Sequence, residues 1–307
     1  MKISVVINAY NEEENIAGCI ESLLAQSRSA DEILVVDNGS TDKTTEIASN
    51  YPVRIIKLKH TTRGHARDVG WRSAKGDLIC YADADDLLND VWIEEIEKKV
   101  KEGADAVIDR IEVHKPETLF LKCYNAYYDV RFIDYTPFSA WAFKREVLDG
   151  TGGFRDLRIE DIDLGTRLHD KGYKIMLAER AVRSHEGKPR SVYDFLKREF
   201  TLTKHLTVEY YQNFPKKCPH NRYILAVLFL FLIPLAVISK FVLYTFLLGL
   251  VTIYLAIFVD LAFRKKGWNV VRKRYLFGLA LILPIGMFFR TLGFICGKCA
   301  LLRGSNK

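Results

Sequence analysis

Short apolar runs rich in β-branched residues alternate with segments of helical spacing in the first part of the chain, and this alternation limits the fold more than any other feature. The runs lie at residues 3–7, 32–36, 54–58, 78–81 and 106–108. A repeated strand, helix, strand order predicts an α/β fold with a mostly parallel sheet and helices on both faces. Ligands of such sheets bind at the carboxyl ends of the strands.

Polar loops follow three of the predicted strands directly. They read NAYNE from position 8, DNGSTD from position 37 and DADD from position 83. Single polar residues such as Asn11 or Asp42 are typical caps of the helices that follow. A cap needs one short polar residue, so capping leaves Asp37, Asp83 and Asp85 unexplained. We therefore expect a ligand site at this edge of the sheet.

Asp83 and Asp85 stand two positions apart, where an extended turn brings two carboxylates together. Their repulsion is unfavourable unless a cation lies beside them. Carboxylate oxygens suit Mg²⁺ or Mn²⁺, and such an ion would bridge to a diphosphate and neutralise charge on a leaving nucleotide. Arg63, His65 and Arg67 add cationic groups for the phosphates at a predicted helix start. The sequence thus predicts a divalent cation as cofactor.

Five stretches resemble glycosyltransferase family 2, whose members have the GT-A fold. They read VVINAYNEEENI, ILVVDNGSTDKT, RGHARDVGWRSAKGDLICYADADD, GGFRDLRIEDIDLGTRLHDKGYKI and VRSHEG. The stretches keep the family's order and spacing from residue 2 to about residue 187. The resemblance implies an inverting transfer of one sugar from a nucleotide-diphosphate sugar, a UDP- or GDP-sugar.

The resemblance also implies which residues bind the nucleotide of the donor. Ala9, Tyr10 and Glu12 would line the pocket for the base. Asp37 would bind the base or the ribose, and Arg67 would face the phosphates.

The same resemblance implies the metal ligands. Asp83 would contact the ribose or the metal, and Asp85 would be the direct metal ligand. His185 matches a histidine that completes the metal or diphosphate site, although a lone histidine after a strand is often structural. Gly152 and Gly153 would let the backbone approach the donor or the acceptor.

Asp161 matches the position of the family's general base, with Glu160 beside it. An inverting transfer needs such a carboxylate to take the proton from an acceptor hydroxyl during its attack on the anomeric carbon. Asp161 and Asp163 are also typical helix N-caps, and we expect one of them to cap.

Two departures from the family pattern affect the donor pocket, and one affects the outcome of the reaction. Asp68 stands where the family more often has Asn, and Asn38 where it often has Asp. The Gln-x-x-Arg-Trp motif of processive synthases is absent, and the corresponding stretch reads DFLKREF. We therefore expect the transfer of a single sugar rather than extension of a polymer.

Apolar residues form long runs in the last third of the chain. The runs at 223–239 and 241–263 each approach the roughly 20 residues that cross a bilayer. A third run, 275–297, contains Pro284 and Arg290, which favour a shallow or re-entrant segment.

These patterns divide the chain into three regions. We predict a GT-A catalytic domain over 1–190, an amphipathic interfacial helix and linker over 191–221, and a membrane region over 222–303 with two to three transmembrane or re-entrant helices. A helix packed on the catalytic domain is the alternative for 191–221.

Basic residues lie beside the apolar runs, at 216–217, 264–266 and 272–274. The formal charge of +7 therefore indicates anionic membrane lipids as partners and not a nucleic acid. The positive-inside rule predicts an integral protein of the cell membrane with its catalytic domain in the cytoplasm. Six scattered cysteines fit a reducing compartment, and the membrane region offers a surface for a homo-oligomer.

Three functions remain open from the sequence. The first is transfer of a sugar to a hydroxyl of a lipid-linked glycan, and the second is transfer to a polyprenyl or dolichyl phosphate. A phosphate acceptor is already anionic and needs no base, so the pair Glu160 and Asp161 favours the hydroxyl. The third is an inactive GT-A module that only binds nucleotide or scaffolds an assembly. Four intact residues argue against it: Asp37, Asp83, Asp85 and Asp161.

Overall fold

A computed structural model describes residues 1–113, 118, 120–122, 141–185 and 191–213, and near the C-terminus residues 289, 292, 294–296 and 299. The chain divides into two compact units. One unit comprises Met1–Lys115 and Asp134–Lys188, and the other comprises Pro116–Ile133 and Pro189–Lys307. The first unit contains the sheet.

Strands and helices alternate through most of the first unit. In chain order they are β1 (Ile3–Ala9), α1 (Ile16–Leu24), β2 (Glu32–Asp37), α2 (Thr44–Ala48), β3 (Arg54–Lys57), α3 (Arg63–Ser73), β4 (Leu78–Asp83), β5 (Asp86–Leu88), α4 (Trp92–Lys101), β6 (Ala106–Val113), β7 (Ala142–Lys144), α5 (Arg145–Thr151), α6 (Glu160–Asp170) and β8 (Ile175–His185). Every predicted strand is present, so the α/β prediction is confirmed.

The sheet has the strand order β3-β2-β1-β4-β7-β6-β8-β5. The strands β3, β2, β1 and β4 are parallel neighbours, and β6 is parallel to β8. By contrast, β7 runs antiparallel to β4 and β6, and β5 runs antiparallel to β8. Four of these seven strand pairings are parallel, so the sheet is mixed, and the antiparallel strands β5 and β7 were not predicted. Strands of three residues, such as β5 and β7, are too short to give a periodic apolar signal.

Helices cover both faces of the sheet, as predicted. Successive residues of β1 point to opposite faces, so Val5 packs in one apolar cluster and Val6 in the other. The cluster around Val5 contains residues of α1 and α4, and the cluster around Val6 contains residues of α3, α5 and α6. Burial of these two clusters holds the carboxyl ends of β1, β2 and β4 in fixed positions.

Two consecutive glycines join α5 to the segment before α6. Gly152 and Gly153 have φ values of 81° and 72°, a region that residues with a Cβ rarely adopt. A Cβ on Gly153 would lie 2.4 Å from Trp71 Nε1 and 2.5 Å from Asp68 Oδ1, whereas a Cβ on Gly152 would meet nothing within 4 Å. Gly153 therefore serves the close packing of this turn against α3.

We expect Gly153→Ala to lower the free energy of unfolding by about 3 kcal/mol, since left-handed strain and steric overlap add together. Gly152→Ala is the matched control, because it introduces the strain without the overlap, and it should lower stability by only about 1 kcal/mol. Thermal unfolding of the two full-length variants would measure the difference. Equal losses would show that the contact of Gly153 with α3 carries no weight.

The second unit contains the helix α7 (Val192–Asn213), which lies within the region 191–221 for which an interfacial helix and linker are predicted. Phe195, Glu199 and Thr203 form a buried stripe with i, i+4 spacing, and the ring of Phe195 lies 6.1 Å from that of Phe120. Contact of α7 with a membrane stays a prediction.

Within the described part of the chain, no helix has both the length and the apolar character needed to cross a bilayer. The predicted membrane helices of 222–303 lie outside the described residues, apart from the few positions near the C-terminus.

Candidate active site

The sheet brings the predicted loops together. Asn8 of β1 lies opposite Asp83 of β4, and Ala9 lies opposite Asp37 of β2. Because these three strands are parallel neighbours, the residues that follow them meet at one edge. The predicted ligand site therefore has a continuous surface, built from three loops that are distant in sequence.

The loops after β1 and β2 are bound to each other by hydrogen bonds. Asn11 Oδ1 accepts a hydrogen bond from Thr41 N at 2.8 Å, and Asn11 N donates to Ser40 Oγ at 2.9 Å. Glu12 N donates to Thr44 Oγ1 at 2.7 Å. Asn11 has a φ of 55°, a left-handed conformation that asparagine tolerates better than most residues. Asn11 thus ties two loops together, and the alternative that it caps α1 is wrong.

Asp37 is buried and holds the loop that it begins. Its Oδ1 accepts from Ser40 N at 3.1 Å, and its Oδ2 accepts from Thr45 Oγ1 at 3.0 Å. Both carboxylate oxygens of Asp37, the residue predicted to bind the nucleotide, therefore already accept hydrogen bonds from the protein. Each retains a second lone pair, so a further contact to a ribose or a base is compatible with this geometry.

The predicted residues of the base pocket differ in access. Tyr10 is 45% exposed, and its ring lies 4.3 Å from that of His60 at an interplanar angle of 36°, a contact that the sequence did not indicate. Ala9 is buried, and Glu12 accepts a hydrogen bond from Asn15 Nδ2 at 2.7 Å. The aromatic pair Tyr10 and His60 is the part of this pocket on which a planar base could stack.

Asn38 explains why His60 lies at the site. The Asn38 side chain donates to Thr61 O and accepts from Thr61 N, both at 2.9 Å. This pair of bonds holds the loop after β3 against the loop after β2. The departure from the family pattern at Asn38 therefore has a structural use.

Solvent exposure alternates along the turn after β4. Asp83 and Asp85 are half-buried, whereas Asp86 is fully buried. Burial raises the pKa of the Cys19 thiol, and the carboxylates of Asp86, Asp83 and Asp85 raise it further. All three carboxylates therefore lie near one thiol, and this concentration of negative charge favours a cation.

Asp83, Asp85 and His185 were the predicted metal ligands. The structure describes the backbone of His185, which lies opposite Asp86 in the β5–β8 ladder, but not its side chain. Among the side chains that are described, no three of His, Cys, Asp or Glu form a metal-binding group. The hard carboxylate oxygens of Asp83 and Asp85 fit Mg²⁺ or Mn²⁺, and the ligand set stays a prediction.

Arg67 connects the turn after β4 to the start of α6. Its guanidinium donates to Glu160 Oε1 at 2.7 Å and to Asp83 Oδ1 at 3.2 Å. Burial opposes the charge of Arg67, but the carboxylates of Glu160 and Asp83 outweigh burial and raise its pKa. The predicted phosphate contact of Arg67 is untested, and two carboxylates bind its guanidinium.

Glu160 and Asp161 are adjacent but have different surroundings. Glu160 is 0% exposed; burial raises its pKa, and Arg67 and Arg63 oppose that rise. Asp161 is half-buried and lines a small pocket together with Arg67 and Trp141. Of the two predicted catalytic carboxylates, Asp161 is the one that an acceptor can reach.

The expectation that Asp161 or Asp163 caps α6 is wrong. The N-cap residue is Ile159, whose side chain makes no capping hydrogen bond, and Asp161 lies inside the first turn, where its Oδ1 accepts from Ile162 N at 2.8 Å. Asp163 is instead fully buried between Arg155 at 3.2 Å and Arg167 at 2.5 Å. Two ion pairs outweigh the single backbone hydrogen bond that a cap would make.

Arg67→Ala should lower the free energy of unfolding by about 3 kcal/mol, because it leaves the buried Glu160 with only the exposed Arg63, at 3.6 Å, as a cationic partner. Without Arg67 the folded-state pKa of Glu160 rises further above its unfolded value. The folded state then binds the extra proton, so stability falls as pH rises from the unfolded-state pKa of Glu160 to its raised folded-state pKa. Thermal unfolding across this pH range measures the slope.

Two variants test the origin of that pH dependence. Arg67→Ala with Glu160→Gln removes the buried carboxyl that has lost its closest partner, and it should recover part of the stability and abolish the slope. Arg72→Ala, on the exposed side of α3, breaks a pair with Asp68 of 2.7 Å and should lower stability by no more than about 1 kcal/mol. A pH slope that persisted in the double variant would contradict the role of Glu160.

Sequence reasoning missed Trp141 and Arg183. The guanidinium of Arg183 lies 3.8 Å from the centroid of the Trp141 ring, and that of Arg67 lies 4.5 Å from it. Arg183 also binds Asp86 and Asp109 at 3.2 and 3.0 Å. The one available signal was an arginine inside the stretch VRSHEG, and it gave no indication of these partners.

Comparison with known proteins agrees with this geometry. Residues 4–159 match the family described as "Glycosyl transferase family 2", and residues 139–289 match "Glycosyl transferase family group 2". "Glycosyltransferase AglE" of Haloferax volcanii is 26% identical over 220 residues, which cover 66% of this chain and 72% of AglE.

Solved structures share the fold. S. aureus TarS 1–349 in complex with UDP has 23% identity and a TM-score of 0.51, over 74% of this chain and 70% of TarS 1–349. Glucosyl-3-phosphoglycerate synthase from Mycobacterium tuberculosis, in complex with Mn²⁺, UDP and phosphoglyceric acid, has 23% identity and a TM-score of 0.50, over 67% and 77% of the two chains.

Proposed function

Because this chain belongs to glycosyltransferase family 2, and so transfers sugar from a nucleotide sugar, we propose that it catalyses an inverting, metal-dependent transfer of a single sugar to a lipid-linked glycan. The observation that carries the proposal is the contact of Arg67 with both Asp83 and Glu160. Arg67 therefore links the turn that would hold the metal to the start of α6, where Asp161 lies beside Glu160.

Asp83 and Asp85 would hold the divalent cation, and their carboxylate oxygens suit Mn²⁺ or Mg²⁺. When bound, the cation would neutralise the negative charge that develops on the leaving nucleoside diphosphate. A neighbour of the same fold was crystallised with Mn²⁺ and UDP, which supports a UDP-sugar as donor and leaves a GDP-sugar as the second candidate. His185 would complete the metal site.

Asp161 would act as the general base. It takes the proton from an acceptor hydroxyl while the hydroxyl oxygen attacks the anomeric carbon from the face opposite the diphosphate, which inverts that carbon. Glu160 has no access to solvent, so its part in the reaction is to orient Arg67. Tyr10 and Asp37 would bind the base and ribose of the donor.

The proposed acceptor is a hydroxyl of a glycan carried by a membrane lipid. Support comes from the apolar runs of 222–303, from the basic residues beside them and from the helix α7. The same features lead us to propose an integral protein of the cell membrane with a cytoplasmic catalytic domain. A polyprenyl or dolichyl phosphate is the second candidate acceptor; an inactive scaffold does not fit membership of the family.

A donor and acceptor screen in membranes that contain the full chain tests this function. UDP- and GDP-sugars would be supplied with and without Mn²⁺, together with either a lipid-linked glycan or a polyprenyl phosphate. We expect Mn²⁺-dependent transfer to the glycan. Transfer to the polyprenyl phosphate alone would favour the second acceptor, and no turnover of any donor in the presence of metal would contradict the proposal.

A further inference from the structure

The turn from Asp83 to Asp86 is closed by its own last residue. Asp86 is fully buried, and its Oδ2 accepts a hydrogen bond from Asp83 N at 2.8 Å. This bond spans the two intervening residues and fixes the backbone that carries Asp83 and Asp85. The positions of both half-buried carboxylates therefore depend on the position of Asp86.

Arg183 determines the position of Asp86. Its guanidinium donates to Asp86 Oδ2 at 3.2 Å and to Asp109 Oδ1 at 3.0 Å. Asp109 is anchored in turn, because its Oδ2 accepts from Trp92 Nε1 at 2.9 Å. Arg183, Asp109 and Trp92 are at most 2% exposed, so water does not compete for these bonds. The result is a rigid chain of contacts from α4 to the turn.

A bulge in the sheet gives Arg183 its reach. Along β6 and β8 the pairing shifts from Asp109 opposite Ala178 to Arg110 opposite Val182. After the shift, Arg183 lies opposite Leu88 of β5, the strand that begins with Asp86. Bulges of this kind re-aim a side chain and are frequent next to active sites.

The charges around the turn depend on one another. Burial raises the pKa of Asp109, and Arg183 opposes that rise; burial also opposes the charge of Arg183, but Asp109 and Asp86 outweigh it and raise the pKa of Arg183. Trp141 lies beside both Arg183 and Arg67, and Arg67 binds the Asp83 carboxylate. The turn is thus fixed at its backbone by Asp86 and at its side chain by Arg67.

We propose that Arg183 is a positioning residue, which acts through Asp86 to hold Asp83 and Asp85 in the geometry needed for a divalent cation and the diphosphate of the donor. The inference rests on the proposed function. Groups that orient metal ligands without touching the metal typically change metal affinity 10- to 100-fold when they are replaced. Arg183 should therefore affect metal affinity more than the rate at saturating metal.

The test is the affinity of the purified full chain for Mn²⁺, measured from the electron paramagnetic resonance signal of free Mn²⁺ with UDP or GDP present. Arg183→Lys keeps the charge but cannot span two carboxylates as a guanidinium does. We expect about 10- to 100-fold weaker Mn²⁺ binding and a higher Mn²⁺ requirement for transfer, with little change in kcat at saturating Mn²⁺.

Arg145→Lys is the matched control. The Arg145 guanidinium binds Gly76 O at 2.8 Å and Ala74 O at 2.6 Å, near the amino end of β4 and away from the turn. Its replacement should lower thermal stability without changing Mn²⁺ affinity. Asp86→Asn is the second variant, since it keeps an acceptor for Asp83 N but loses the charge that pairs with Arg183. Asp86→Asn should also weaken Mn²⁺ binding, and it provides the test if Arg183→Lys does not fold.

The outcomes separate the two proposals. If the unaltered chain bound no Mn²⁺ with either nucleotide, the proposed function and this inference would both be overturned. If it bound Mn²⁺ and the folded Arg183→Lys and Asp86→Asn variants bound it equally well, the inference alone would be overturned. Loss of active protein with unchanged Mn²⁺ affinity would likewise show that Arg183 serves only the stability of the fold.

Discussion

Asp85→Asn should reduce sugar transfer by at least about 10³-fold. Asp85 is the predicted direct ligand of the metal that neutralises the leaving diphosphate, and such charge neutralisation is worth several kcal/mol in the transition state. Asparagine keeps the size of the side chain but removes its charge. Initial rates of transfer, measured over a range of Mn²⁺ concentrations, provide the measurement.

Asp90→Asn is the control for this prediction, because Asp90 is an exposed carboxylate only five positions along the chain. Its neutralisation should leave the rate close to that of the unaltered protein. Full activity of Asp85→Asn would contradict the metal-dependent mechanism. A similar loss in both variants would indicate a general electrostatic effect in place of a specific ligand.

Asp161→Asn should reduce transfer by about 10²- to 10⁴-fold, the usual contribution of a general base. The affinity for Mn²⁺ and nucleoside diphosphate should stay unchanged, because Asp161 faces the small pocket beside Trp141 and its Oδ1 accepts from Ile162 N within α6. The measurements are single-turnover transfer and nucleotide binding on the same preparation.

Asp170→Asn, at the other end of α6, is the matched control and should transfer at the normal rate. If Asp161→Asn retained its activity while Asp85→Asn lost it, the acceptor would be a lipid phosphate, which needs no base. Combined with the acceptor screen, this pair of variants therefore distinguishes the two proposed acceptors.

The fold was predictable where the chain gives a strong local signal. The strands β1, β2, β4 and β6 each contain an apolar run of at least three residues, and all were predicted. The strand β8 is 11 residues long but was missed, because Glu179, Arg180 and Arg183 interrupt its apolar pattern. Arg180 and Arg183 pair with carboxylates of other elements, and a local sequence pattern does not contain those partners.

The site was predictable to the same extent. Asp83, Asp85 and Asp161 follow recognisable local patterns. Asp83 ends β4 and binds Arg67, and Asp161 lines a small pocket together with Arg67. The contacts that organise them join residues far apart: 93 positions separate Arg67 from Glu160, and 97 separate Asp86 from Arg183. No periodicity or spacing encodes such pairs. Asp163 was assigned to a cap because its ion-pair partner Arg155 cannot be recognised from sequence.

The hydrogen bonds between Asn11, Ser40 and Thr41 also bear on the kinetics of ligand capture. They hold the first two loops in one conformation before a ligand arrives, so association does not have to wait for those loops to order. The observed association rate should then rise linearly with nucleotide concentration. Differences in affinity among nucleotides would then come from their dissociation rates.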